Sequence, residues 1–101
     1  MMYFGFFAGL PYKSATESFD SYRRMKNKIP KEKVIAHIET LDVWATSEPS
    51  YEIFTGEKMR AGLFEDGDFT FPYEFLHYYK NYDIGIPYDY EAYLRDEVGI
   101  K

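Results

Sequence analysis

FEDGDFTFPYEFLHYYKNYDIGIPYDYEAYL, residues 64–94, decides how this chain folds. It holds eleven of the 21 aromatic residues, a tight-turn dipeptide and two prolines. Asp66-Gly67 is the strongest hairpin signal in the chain and predicts a two-residue type I′ turn. Closed on that dipeptide, the hairpin pairs Glu65 with Asp68, Phe64 with Phe69, Leu63 with Thr70 and Gly62 with Phe71. Phe64 and Phe69 then make a favourable cross-strand pair. Phe71 covers the bare Gly62, and the tip is acidic and exposed. Pro72 opens a helix to about residue 82, with Phe75, Leu76 and Tyr79 inward and Tyr73, His77 and Lys80 outward. Pro87 opens a last helix, 87–98, in which Tyr90, Leu94 and Val98 recur every fourth position. Ile84 and Ile86 flank Gly85 and anchor the connection in the core.

Working outward, residues 58–63 supply the first strand of the hairpin. Upstream, 51–55 (YEIFT) and 42–47 (DVWATS) read as strands, separated by a turn at Pro49-Ser50. Residues 30–41 read as a helix with Val34, Ile35, Ile38 and Leu41 on one stripe. Residues 14–27 read as another, with Ser14 and Glu17 at capping-box spacing. Residues 3–12 fit a short strand or a helical turn equally well. Strands and helices are segregated along the chain. The expected class is therefore α+β: a small antiparallel sheet of three to four strands packed against about four helices, in a single domain over 1–101.

Composition narrows the function classes. The 101 residues include no cysteine, which excludes a disulfide framework and thiolate metal sites and favours a cytoplasmic setting. No apolar run reaches the length of a membrane span. The start, MMYFGFFAGLPY, lacks a basic region and is broken by Gly5, Gly9 and Pro11, so it reads as core-forming rather than as a signal peptide. Net charge is −5 and uneven, with the acids concentrated in residues 64–101. That distribution disfavours nucleic acid there and suits a basic protein partner.

No motif carries catalysis, a metal or a cofactor. His37 and His77 lack partners at metal-ligand spacing. The Glu65–Asp68 tip is too short to wrap a calcium ion. There is no phosphate-binding glycine loop and no nucleophile elbow. What stands out is tyrosine next to acid, because tyrosine gives contact area and a hydrogen bond at low entropy cost. The candidate protein-binding residues are Asp66, Asp68, Tyr73, His77 and Tyr78, on the hairpin tip and the helix after it.

The run from Pro30 through Leu94 also resembles a type of small, uncharacterised bacterial single-domain protein. The likeness rests on KEKVIAHIE, EDGDFTFP, EFLHYYKNY and IGIPYDYEAYL. It brings no catalytic residue with it. The small, acidic character is similar to that of immunity proteins, which neutralise toxins by binding them. The resemblance thus implies a non-catalytic protein-binding module of the immunity or antitoxin-like kind. The alternatives are a self-associating structural protein and a small hydrolase using His37 or His77 beside an acid.

Overall fold

The structure is a computed structural model that describes residues 2–101, with the side chains of Thr46 and Ser47 outside the description. Its elements run β1 (Met2–Tyr3), α1 (Phe19–Arg23), α2 (Lys31–Ile38), β2 (Val43–Tyr51), β3 (Lys58–Asp66), β4 (Phe69–Pro72), α3 (Glu74–Asn81) and α4 (Tyr88–Tyr93). A π-helical turn, Leu94–Val98, continues α4. The strands form one sheet in the order β1-β4-β3-β2. The fold is α+β, as the segregation of strands and helices implies. β1 joins β4 in parallel, so the sheet is mixed rather than wholly antiparallel.

The hairpin closes one residue later than Asp66-Gly67 implies. The turn residues are Gly67 and Asp68, and the pairs are Asp66–Phe69, Glu65–Thr70, Phe64–Phe71 and Leu63–Pro72. Gly67 sits at φ +60°, and among the described residues no non-glycine residue has positive φ. Glycine alone in the left-handed region at the first turn position marks a II′ turn, whereas I′ needs positive φ at both positions. The shift turns Asp66 from a tip residue into a strand residue. Because side chains alternate along a strand, it points the same way as Phe64, into the molecule. Gly62 no longer faces Phe71 but lies opposite Ala45. A Cβ there would come within 2.8 Å of the Trp44 carbonyl oxygen, so glycine is needed for the close approach of β2.

Two further expectations are corrected. Residues 42–47 and 51–55 are not two strands about a Pro49 turn. Val43–Tyr51 is one strand, with a register shift between Ala45 and Pro49. Proline is tolerated there because β2 lies at the edge of the sheet. Helix 14–27 shrinks to Phe19–Arg23, because Glu17 is not used as a cap. Its carboxylate accepts from the Phe6 amide at 3.0 Å and from the Tyr22 hydroxyl at 2.7 Å, tying α1 to the N-terminal segment.

The core is built from rings. Phe4, Phe7, Phe64, Phe69, Phe71, Phe75, Tyr22, Tyr78, Tyr79 and Tyr90 are all buried, with Val34, Ile38, Ile86 and Leu94 filling between them. Most ring pairs meet edge-on or tilted, as Phe7 does with Tyr22 and Tyr78 at 5.0 and 5.5 Å between centroids. That is the arrangement aromatic quadrupoles prefer. Phe4 stacks on Phe71 at 4.6 Å, fixing the N-terminal segment against the inner face of the sheet. The radius of gyration is 12.9 Å.

Candidate functional site

The five residues singled out by sequence do not form one face. Asp66 is 6% exposed and Tyr78 fully buried. Asp68 is exposed at the turn, while Tyr73 and His77 are half-buried on the outward side of α3. The acidic aromatic patch expected at the hairpin tip is therefore not assembled.

Asp66 is instead an internal hub. Its Oδ2 accepts from the Tyr90 hydroxyl at 2.7 Å and from His37 Nε2 at 2.8 Å, and its Oδ1 accepts from the Tyr93 hydroxyl at 3.1 Å. One carboxylate thus joins the end of β3 to α2 and α4. A charged acceptor makes each of these bonds stronger than a neutral pair. Burial and the neighbouring carboxylate both push the Tyr90 and Tyr93 phenols up from 10.0.

The same device recurs around the core. Glu74, fully buried at the start of α3, receives the Tyr12 hydroxyl at 2.7 Å and the Ser50 hydroxyl at 2.7 Å. The Tyr12 oxygen in turn accepts from the Gly62 amide at 3.1 Å, at a point on β3 beyond the end of β4. Glu52 accepts from the Tyr82 hydroxyl at 2.6 Å and from the Phe54 amide at 2.7 Å. Burial works against ionisation of Glu52, but these donors and nearby His77 outweigh it and hold its carboxyl below the usual 4.5. Glu91 follows the same logic. Burial opposes its charge, yet the amides of Ile29 and Lys28 and the side chain of Asn27 depress its pKa. Its Oε2 accepts from those two amides at 3.1 and 2.6 Å, closing the loop before α2. Tyrosine beside acid, read from sequence as a binding surface, is thus largely internal.

Both histidines have carboxylates that no local spacing reveals. His37 is separated from Asp66 by 29 positions, and His77 Nε2 lies 3.6 Å from Glu52 Oε2. The second distance is too long for a hydrogen bond, and that nitrogen is buried without a partner. His77 Nδ1 faces the Asn81 side-chain amide at 3.4 Å. Among the described residues, no group of three or more His, Asp and Glu is arranged to hold a metal ion. No helix of the structure is long and apolar enough to cross a membrane.

Two accessible features of the described residues combine apolar surface with exposed charge. The first is a groove of about 360 Å³ between α3 and β3, lined by Met59, Arg60, Tyr73, Leu76, His77 and Lys80. Tyr73, Leu76, His77 and Lys80 recur at three- and four-residue spacing, so Leu76, predicted to face inward, shares the outward stripe and is half-buried. The second is the outer face of the sheet at its β2 edge. Trp44, the chain's only tryptophan, is 66% exposed there. It pairs with half-buried Leu63 on the same face, and Glu65, two positions further along β3, also points outward and is exposed. Sequence reasoning treated Trp44 as generic strand content. Its isolation between Asp42 and Glu48, away from the other aromatics, was the available signal.

No protein-family model, curated protein or solved structure matches the chain in comparison with known proteins.

Proposed function

We propose that this chain is a non-catalytic protein-binding module that engages a basic partner through the β2 edge of its sheet, with Trp44 at the centre of the contact. The observation that carries this reading is the exposure of Trp44. In a molecule that buries most of its rings, its largest ring stands two-thirds in water on an edge strand. Tryptophan contributes disproportionately to binding energy when a partner desolvates it. An edge strand also offers unpaired backbone groups to an incoming chain. The surrounding charge supports a basic partner, since exposed Asp42, Glu48 and Glu65 neighbour Trp44 in sequence or across the strands. Acids placed this way speed encounter with a cationic surface more than they tighten the complex. An immunity-like inhibitor of a basic toxin is one form of this function.

The test compares capture from an extract of the native host by the wild-type chain and by Trp44→Glu, at low and at high salt. The expected result is a basic protein retained by the wild type, lost with the variant and weakened by salt. If no protein's recovery depends on Trp44, the reading fails. Sedimentation over a concentration series addresses self-association: a dimer that Trp44→Glu dissociates assigns this edge to a second copy instead.

A further inference from the structure

The groove between α3 and β3 differs in charge from the Trp44 surface and is argued independently of it. One carboxylate lines it and two adjoin its lining residues, but each is engaged elsewhere. Glu74 is fully buried, with its oxygens on Tyr12 and Ser50. Glu52 lies behind His77 and accepts from Tyr82 and the Phe54 amide. Glu39, outside the groove's lining, is paired with Lys80 at 3.0 Å. Arg60 is the exception. Among the described residues it has no carboxylate partner, and its guanidinium lies 5.7 Å from the centroid of the Tyr73 ring. A guanidinium resting on an aromatic face keeps the outer edge of its fork free. The fork is also pre-oriented, so less freedom is lost when it binds a two-oxygen anion. Lys80 lies about two helical turns further along α3 and is taken up by Glu39, which leaves Arg60, among the described residues, as the free cation of the lining. Met59, Leu76 and the Tyr73 ring supply an apolar floor, and the volume suits a small organic molecule.

We propose that this groove binds a small organic carboxylate. The acid group pairs with Arg60, and the apolar body lies against Met59, Leu76 and Tyr73. The requirement for both ends distinguishes it from a general anion site, which would take inorganic phosphate equally well. It also differs from a purely hydrophobic crevice, which would ignore charge.

The experiment is a titration of the isotopically labelled full chain, followed by backbone amide shifts. The ligands are phenylacetate, its neutral isostere phenylacetamide, and inorganic phosphate. Phenylacetate is expected to shift amides of residues 59–60 and 73–81 saturably. A ligand of that size warrants a Kd of about 1–10 mM. Phenylacetamide and phosphate should each bind roughly tenfold or more weakly, the loss expected when a charge-assisted contact or the apolar contact is missing. Arg60→Gln should weaken phenylacetate by a similar factor while leaving the rest of the spectrum in place, since Arg60 is exposed. Arg60→Lys should fall between, keeping charge but losing the fork. Shifts scattered outside the groove, equal binding of phenylacetamide or phosphate, or unchanged affinity in Arg60→Gln would each overturn the proposal. So would the absence of any saturable shift.

Discussion

Replacing Asp66 by alanine is the perturbation that most directly tests how this molecule is held together. As a turn residue on an acidic tip, Asp66 would be dispensable, because surface substitutions away from special features usually change stability by no more than about 0.5 kcal/mol. As the hub observed here, it is not. Its removal strands the Tyr90 hydroxyl, which is fully buried and has no other acceptor. A buried donor left unsatisfied costs about 1–3 kcal/mol. The Tyr93 hydroxyl and His37 ring lose their bonds as well, but both are half-buried and regain water, so about 0.5–1.5 kcal/mol each is reasonable. The sum is about 2–6 kcal/mol, a large share of the total stability of a small domain.

The assay is urea unfolding followed by far-ultraviolet circular dichroism; Trp44 is too exposed to report loss of the core. With a slope of about 1.5 kcal/mol per molar, the midpoint for Asp66→Ala should fall by roughly 2 M. Tyr90→Phe removes one donor while keeping the ring, and should cost about 1–2 kcal/mol. Because the two groups share one bond, the double variant should be less destabilised than the sum of the singles, by about 1–2 kcal/mol. A midpoint for Asp66→Ala indistinguishable from wild type would refute both the II′ register and the hub.

Two further outcomes follow from the same geometry. Gly67→Ala should cost about 1–2 kcal/mol from its φ of +60° alone, and more because its Cβ would lie 2.7 Å from the Tyr93 hydroxyl. Gly56→Ala, at φ +76° in open space, gives the backbone cost by itself, so equal losses in the two variants would show that Tyr93 is not locked in place. Alkaline pH supplies the other: burial raises Tyr78 and Tyr79 to about 12 and drives Tyr12, Tyr22 and Tyr90 upward as well. A phenol whose folded pKa is raised stabilises the fold fully below its unfolded value of about 10, and that contribution is lost as pH climbs through the folded values. The buried tyrosines' share of the absorbance near 295 nm should therefore rise late and together with loss of circular dichroism, whereas full ionisation in one gradual step near pH 10 with the fold intact would contradict the burial.

Most of the architecture was legible, because it rests on local rules. The prolines at 30 and 87 stand just before α2 and α4 as expected, whereas Pro72 ends β4 opposite Leu63 and α3 starts two residues later; the rings Phe64, Phe69, Phe75 and Tyr79 read as inward are all buried. The failures share a cause, which is a partner distant in sequence. Asp-Gly and Gly-Asp are both acceptable hairpin dipeptides. Asp66 enters the strand because Tyr90, Tyr93 and His37, between 24 and 29 positions away, give its carboxylate a place inside. Glu17 and Ser14 have the spacing of a capping box, but the Phe6 amide and Tyr22 hydroxyl claim the carboxylate instead. Tyr78 read as outward-facing because one helix stripe was assumed. α3 is packed on two sides, with the sheet against one and Phe7 and Phe19 from the N-terminal third against the other.

These errors bear on how composition relates to function here. A core built from aromatic rings with few aliphatic side chains includes tyrosines, and each tyrosine brings a hydroxyl that cannot be buried alone. A carboxylate at the rim solves this, since it accepts several donors at once and is itself stabilised by them. Glu17, Glu52, Asp66 and Glu74 all serve in this way. A high content of tyrosine and acid is then a requirement of the interior, and it no longer counts toward a sticky or acidic surface. Candidate contacts have to be sought among groups that the interior does not employ. Among the described residues Trp44 packs on no other ring, and Arg60 has a ring beneath it but no acid paired with it. The two lie on different parts of the surface and ask for opposite charges, so a substitution at one should leave binding at the other intact.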